Sequence, residues 1–174
     1  MDGRREKFKE QKQQKLLIDG YNLTGLQHPD LGEEREALLE RLRIYRQRTG
    51  HDITVVFDGW GGMSHLESRS VLGGLSVIYS RIGEKADVVI KRMLEKESGL
   101  ILVSSDRELQ NAAWTHGSTA VSSGLFTRKL FQQDSGEQGP EEDEEEDELL
   151  PRRTGNPRQP SKRQKALTRA LKRL

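Results

Sequence analysis

The chain has 174 residues, of which 32% are hydrophobic and 33% charged, and it contains no cysteine. That is room for one domain with tails, and the longest apolar run, Leu100 to Val103, is far short of the roughly 20 residues that span a bilayer. Without cysteine there is no disulfide framework, thiolate metal site or cysteine nucleophile, which fits a reducing, cytoplasmic setting; the charged N-terminus does not read as a secretory signal. The net charge of +1 conceals a pattern: residues 1–134 carry 20 basic and 19 acidic side chains, residues 135–150 nine acidic and no basic ones, and residues 151–174 nine basic and no acidic ones.

Residues 1–15 are polar and predominantly basic, and read as a leader with frayed ends. Leu16-Leu17-Ile18 is an apolar run closed by Asp19-Gly20, the pattern of a buried strand ending in a turn. The spacing of Leu38, Leu39, Leu42 and Tyr45 predicts a helix over 33–48, with Gly50 as its stop. Ile53 to Phe57 is a second buried strand, ending in Asp58-Gly59. Residues 59–74 hold five glycines and read either as a flap over a site or as a plain connection. Leu75 to Tyr79 is a third strand. Residues 84–97 form a helix with Val88, Ile90, Met93 and Leu94 inward. Leu100 to Val103 is a fourth strand, residues 107–116 a helix with Trp114 inward, Thr119 to Val121 a last short strand, and 124–133 a further helix.

Strands alternating with helices imply a three-layer α/β/α domain around a central parallel sheet, here over residues 16–133. Residues 134–160 cannot bury apolar surface and read as an acidic disordered linker, with eight consecutive acids from Glu141 to Glu148. In residues 161–174, Ser161 is a candidate N-cap, and Leu167, Ala170, Leu171 and Leu174 share one face of a basic amphipathic helix.

Four aspartates fall at strand ends or helix starts: Asp19, Asp58, Asp87 and Asp106. In an open parallel sheet the carboxyl ends of the strands share one edge, where ligands bind. Carboxylates crowded there repel one another unless a cation compensates, and the partner for an all-oxygen set is a hard divalent ion, Mg²⁺ or Mn²⁺. Such a site activates water for in-line attack on phosphorus. Singly, each aspartate is equally a turn or cap residue; it is their convergence on one edge that points to a site. Glu84 has a claim too, being three residues before Asp87, but also serves as a helix-dipole partner. His28, His51, His65 and His116 show no ligand spacing and read as surface residues.

These segments carry a resemblance. Leu17-Ile18-Asp19-Gly20-Tyr21-Asn22-Leu23, Val55-Val56-Phe57-Asp58-Gly59, Lys85-Ala86-Asp87 and Val103-Ser104-Ser105-Asp106-Arg107 occur in the order of motifs of the YacP-like NYN domain family, relatives of PIN nucleases. The resemblance covers residues 16–133 and implies a PIN-like fold and metal-dependent endoribonuclease activity on single-stranded RNA, by attack of activated water on a phosphodiester. Carried over by position, it implies that Asp19, Asp87 and Asp106 are the core metal-binding acids and that Asn22 orients the site or a phosphate, with Asp58 a further acid at the rim. The basic leader and charged tail lie outside that pattern.

An RNA-cleaving enzyme must also hold its substrate. Arg107 and Lys85 are candidate phosphate contacts, or surface cations paired with neighbouring acids. Ser104 and Ser105 can bond phosphate or cap the following helix. Trp60, beside the predicted site, can stack a base or pack on the domain, and Tyr21 can line the entrance or fill the core. The basic helix can anchor RNA or a ribosomal surface through counterion release, or dock its apolar stripe in a protein groove. The alternative to a nuclease is a non-catalytic RNA-binding module on the same fold. A receiver-like regulator lacks its lysine after the last strand, and no phosphate-binding loop for nucleotide hydrolysis is present.

Overall fold

A computed structural model describes residues 13–24, 32–59, 66–135 and 161–174. Residues 1–12 of the leader, Trp60, His28, His65 and the acidic run at 141–148 lie outside these residues, while Lys15, read as the leader's last residue, opens the first strand. The elements in chain order are β1 (Lys15–Asp19), α1 (Gly20–Thr24), α2 (Gly32–Thr49), β2 (Asp52–Phe57), β3 (Ser68–Leu72), β4 (Leu75–Tyr79), α3 (Ala86–Lys96), β5 (Ile101–Val103), α4 (Arg107–Thr115), β6 (Thr119–Val121), α5 (Ser123–Ser135) and α6 (Lys162–Leu171).

The six strands form one sheet in the order β3-β4-β2-β1-β5-β6. All neighbours are parallel except β3, which pairs antiparallel with β4 at the edge. Alternation along β1 assigns the two faces. Leu16 and Ile18 point into a core with Leu38, Leu39, Leu42 and Tyr45 of α2, Phe126 and Leu130 of α5, and Leu167 and Ala170 of α6. Leu17 points the other way, onto Val89, Ile90 and Leu94 of α3 and Leu109 and Ala113 of α4. Helices thus cover both faces of buried strands, the arrangement parallel sheets require. Among the described residues, no helix is long and apolar enough to cross a membrane.

Four sequence expectations are corrected. The glycine-rich stretch contains strand β3, so it is neither flap nor plain connection over residues 68–72; all five side chains are exposed, which erases the apolar signature of a strand. Helix α3 starts at Ala86, not residue 84, and Val88 is 48% exposed while Val89 is fully buried. Trp114 is only partly buried, with the Arg163 guanidinium over its ring. His51 is buried, not superficial.

His51 has a structural task. Its Nδ1 accepts from the Gln14 backbone N–H at 3.4 Å, and its Nε2–H donates to the Arg173 carbonyl at 2.9 Å. Nearby, the buried Tyr45 hydroxyl donates to the Leu174 carbonyl at 2.7 Å. Both bonds hold the end of α6 against the core, so the basic amphipathic helix docks its apolar stripe on this same domain. Burial lowers the His51 pKa, opposed by its bond to Arg173. The unfolded chain therefore takes up this proton near the ordinary histidine value and the folded chain only at lower pH, so folding loses stability as pH drops below about 6.5. A His51→Asn variant is expected to lack this component. The difference in thermal midpoint between wild type and variant should shrink from pH 7.5 to pH 5.5, and a constant difference would refute the assignment.

Candidate functional site

The sheet reverses its direction of growth at β1: the chain moves from β1 out through β2 and β4, then returns to place β5 on the other side. The crevice at such a switch point, at the carboxyl ends of the strands, is where open α/β sheets bind ligands. Asp19 closes β1 at this point, and Ser104-Ser105-Asp106 follows β5 directly across from it. Gly20 is forced by packing, because a Cβ there would overlap the Phe57 ring. A Gly20→Ala variant should therefore unfold at clearly lower denaturant, by on the order of 1–3 kcal/mol; an unchanged urea midpoint would contradict this.

Asp19 is 7% exposed. Its Oδ1 accepts from the Asn22 backbone N–H at 3.3 Å and its Oδ2 from the Ser104 hydroxyl at 3.1 Å. Burial is the main force on this carboxyl and pushes its pKa up to about 6; the two hydrogen bonds oppose the shift, and the charges of Asp87 and Asp58 add to it. The Asp87 pKa is also raised, by burial first and then by Asp106 and Asp58, with Lys91 and Lys85 opposing. The four aspartates thus act on one another across a single rim.

Two of them have structural duties as well. Asp58 Oδ1 accepts from the Ala86 N–H and so caps α3 from a different part of the chain, where Lys85, the residue in the cap position, offers no side-chain bond. Asp106 is the N-cap of α4, its Oδ1 accepting from the Leu109 N–H at 2.9 Å. The cap and the site readings are both true of these residues.

Asn22 is tied into the rim through its side-chain oxygen. Its Oδ1 accepts from the Ser105 backbone N–H at 2.8 Å and from the Ser123 hydroxyl at 2.5 Å. The Ser105 hydroxyl in turn accepts from the Ser123 N–H at 3.1 Å, and the Ser104 hydroxyl accepts from the Asp106 N–H at 3.1 Å. These bonds tie α1, the β5–α4 loop and the start of α5 into one frame around Asp19.

The remaining expected residues divide clearly. Lys85 and Arg107 are exposed at the rim, with no ion pair among the described residues. Glu84 faces away: its carboxylate pairs with Arg92 at 3.3 Å and Arg81 at 3.5 Å. Trp60 lies outside the described residues. The sequence reading did not single out Ser123, which lies 101 residues from Asn22, or Lys91, which sits one helical turn after Asp87 and pairs with Glu108 at 2.9 Å. The i, i+4 spacing from Asp87 was the available signal for Lys91.

Among the described residues, no three Asp, Glu or His side chains stand close enough to enclose a metal ion by themselves. The donor chemistry fits a hard divalent ion: carboxylate, amide and hydroxyl oxygens, with one carboxyl buried against its own charge. Mg²⁺ keeps several waters and takes few protein carboxylates directly, so full enclosure is not what it needs.

Comparison with known proteins agrees with the fold. The family model of the YacP-like NYN domain matches residues 16–169. The chain is 26% identical over 126 residues to a Bacillus subtilis (strain 168) protein named uncharacterized protein YacP, covering 66% of this chain and 74% of that one. The crystal structure of a variant of Rae1 (YacP) from Bacillus subtilis superposes with a TM-score of 0.54 at 26% identity, covering 70% of this chain and 77% of that one. A second crystal structure of Rae1 (YacP) gives a TM-score of 0.53 at 25% identity, covering 68% and 74%.

Proposed function

The chain belongs to the YacP-like NYN domain family, whose fold is that of PIN-like nucleases, and from this premise we propose that it is a metal-dependent endoribonuclease acting on single-stranded RNA. The observation that carries the reading is the buried, charge-stressed Asp19 at the switch point, with Asp58, Asp87 and Asp106 acting around it. A pure binding module has no use for four acids beside a phosphodiester.

Asp19, Asp87 and Asp106 would hold Mg²⁺ or Mn²⁺, with Asp58 contributing from the rim. When bound, the ion supplies a Lewis acid for the phosphate and lowers the pKa of a water. The residues of the chain do the rest. Asp19 is held in place by Ser104 and the Asn22 N–H, so its oxygens are positioned before substrate arrives. Because the Asn22 Oδ1 is occupied by two donors, this side chain presents its amide N–H groups outward, to a phosphate oxygen. Lys85 and Arg107 flank the rim as exposed cations and take neighbouring phosphates of the strand. The Ser105 hydroxyl, engaged as acceptor by the Ser123 N–H, has its proton left to donate. Lys91, paired with Glu108, keeps Asp87 from bearing the whole repulsion.

The test is cleavage of end-labelled single-stranded RNA by purified protein with Mg²⁺, with Mn²⁺ and with chelator. Internal cuts that require metal and disappear in Asp87→Asn are expected. RNA that binds but is never cut, including in the presence of ribosomes, would replace the nuclease with the binding-module reading.

A further inference from the structure

Beside the acidic rim stands a group that the reading above does not use. Tyr21 follows Asp19 and Gly20 in α1, Phe57 precedes Asp58, and Tyr79 ends β4 directly opposite Phe57 in the parallel register. All three therefore lie at the carboxyl end of the sheet. Phe57 and Tyr79 are stacked, with centroids 5.6 Å apart and planes 22° from parallel. Tyr21 meets Phe57 edge-on at 5.4 Å. Arg35, from the first turns of α2, holds its guanidinium 5.7 Å from the centroid of Tyr79. The result is a column that begins in the core at Phe57, fully buried, and ends half-exposed at Arg35.

We propose that Tyr21, Tyr79 and Arg35 form a subsite that stacks one base of a single-stranded RNA next to the acidic rim. The inference rests on the RNA reading above and adds to it where the strand is gripped. Three features point to a base. A flat column of aromatic and guanidinium surfaces matches the face of a base, and stacking on such surfaces is how proteins hold unpaired RNA. Arg35 is held by the face of Tyr79 and by the Tyr21 side chain and pairs with no carboxylate among the described residues, so no ion pair neutralises its charge. The Tyr21 side chain is hydrogen-bonded with Arg35 and lies near Asp58, which fixes the guanidinium and ties the column to the acidic rim. The placement also answers a difficulty of the site itself. Four acids repel a phosphate backbone, and a base held by stacking draws the strand to the rim without relying on that backbone. A packing role alone would not need a cation at the end of the column, where an apolar side chain would cover Tyr79 at less desolvation cost.

The experiment is an abasic scan. A fluorescent single-stranded RNA pentamer, and versions with the base removed at each position in turn, are bound in chelator to the full chain, to Tyr79→Leu and to Arg35→Ala. Tyr79→Leu keeps an apolar side chain on Phe57, and thermal melting establishes that each variant folds. One abasic position is expected to weaken binding to the wild-type chain by about 10-fold, and this penalty should largely vanish in both variants. Equal binding of all abasic versions overturns the proposal, as does a position-specific penalty that survives intact in folded variants. Binding with this pattern by a protein that cuts nothing leaves the subsite standing and overturns the nuclease. Cutting without the pattern does the reverse. RNA that does not bind in chelator overturns the subsite, and cleavage with Mg²⁺ or Mn²⁺ then decides the nuclease separately.

Discussion

An Asp19→Asn variant should melt at a higher temperature than wild type in metal-free buffer at pH 7.5, and should lose RNA cleavage. The sign follows from the burial of this carboxyl. Its ordinary value of 3.8 is raised to about 6 in the folded chain, so between these values the folded state binds the proton more tightly than the unfolded state. Stability therefore falls as pH rises from 3.8 to 6, and the full cost is present at neutral pH. A shift of this size corresponds to about 3 kcal/mol. Asparagine keeps an oxygen for the Asn22 N–H and leaves the Ser104 hydroxyl a donor to face, while removing the charge. A bound divalent ion offsets the same cost, so millimolar Mn²⁺ should raise the wild-type midpoint and leave the variant almost unmoved. At pH 4 the two metal-free proteins should converge. A variant less stable than wild type at pH 7.5 and equally responsive to Mn²⁺ would remove Asp19 from the proposed metal set.

How much of this was legible before the structure varies by element. Asp19 and Asp58 were readable because each directly follows an apolar run, and Asp106 because only Ser104 and Ser105 separate it from one; a parallel sheet puts all such ends on one edge. Asp87 came with them through its place in the first turn of a helix. Strand β3 was not readable from its own residues, since Ser68, Arg69, Ser70, Val71 and Leu72 are all exposed. Its signal lay in the turn: Gly73 and Gly74 have φ of 57° and 87°, the left-handed pair of a tight hairpin, which only the adjacent glycines announced. Val88 was misplaced by one position because Val88, Val89 and Ile90 are all apolar, and periodicity alone does not choose among consecutive candidates. The long-range hydrogen bonds at the site had no local signature. Ser123 and Asn22 meet because α5 begins beside α1, a consequence of strand order that no spacing encodes. The column at Tyr79 was hidden in the same way, since Arg35 reads locally as one charge among Glu33, Glu34 and Glu36 on a solvated helix.

The helix α6 was legible in its face and not in its destination, and this determines how its role must be tested. The sequence shows an apolar stripe and a basic face. The stripe packs into the core on α2 and the sheet: Leu167, Ala170 and Leu174 are 5%, 5% and 7% exposed. A chain ended at residue 160 is therefore expected to be severely destabilised. It loses the burial of these side chains and exchanges the bonds of the Tyr45 hydroxyl and His51 to the Leu174 and Arg173 carbonyls for bonds to water. Burial of the two leucines alone comes to on the order of 5 kcal/mol, comparable to the whole stability of many domains. Urea unfolding measures it, and a midpoint close to wild type would mean that α6 is dispensable to the fold. Loss of RNA binding in that truncated chain would therefore report unfolding, not a missing anchor. The informative variant neutralises the exposed charges and spares the stripe. Replacing Lys165, Arg169 and Lys172 with glutamine should leave the urea midpoint within about 0.5 kcal/mol of wild type. If the basic face contacts phosphates, the same variant should lower the dependence of RNA affinity on salt by up to about two units of the logarithmic slope. An unchanged slope would confine α6 to holding the domain together.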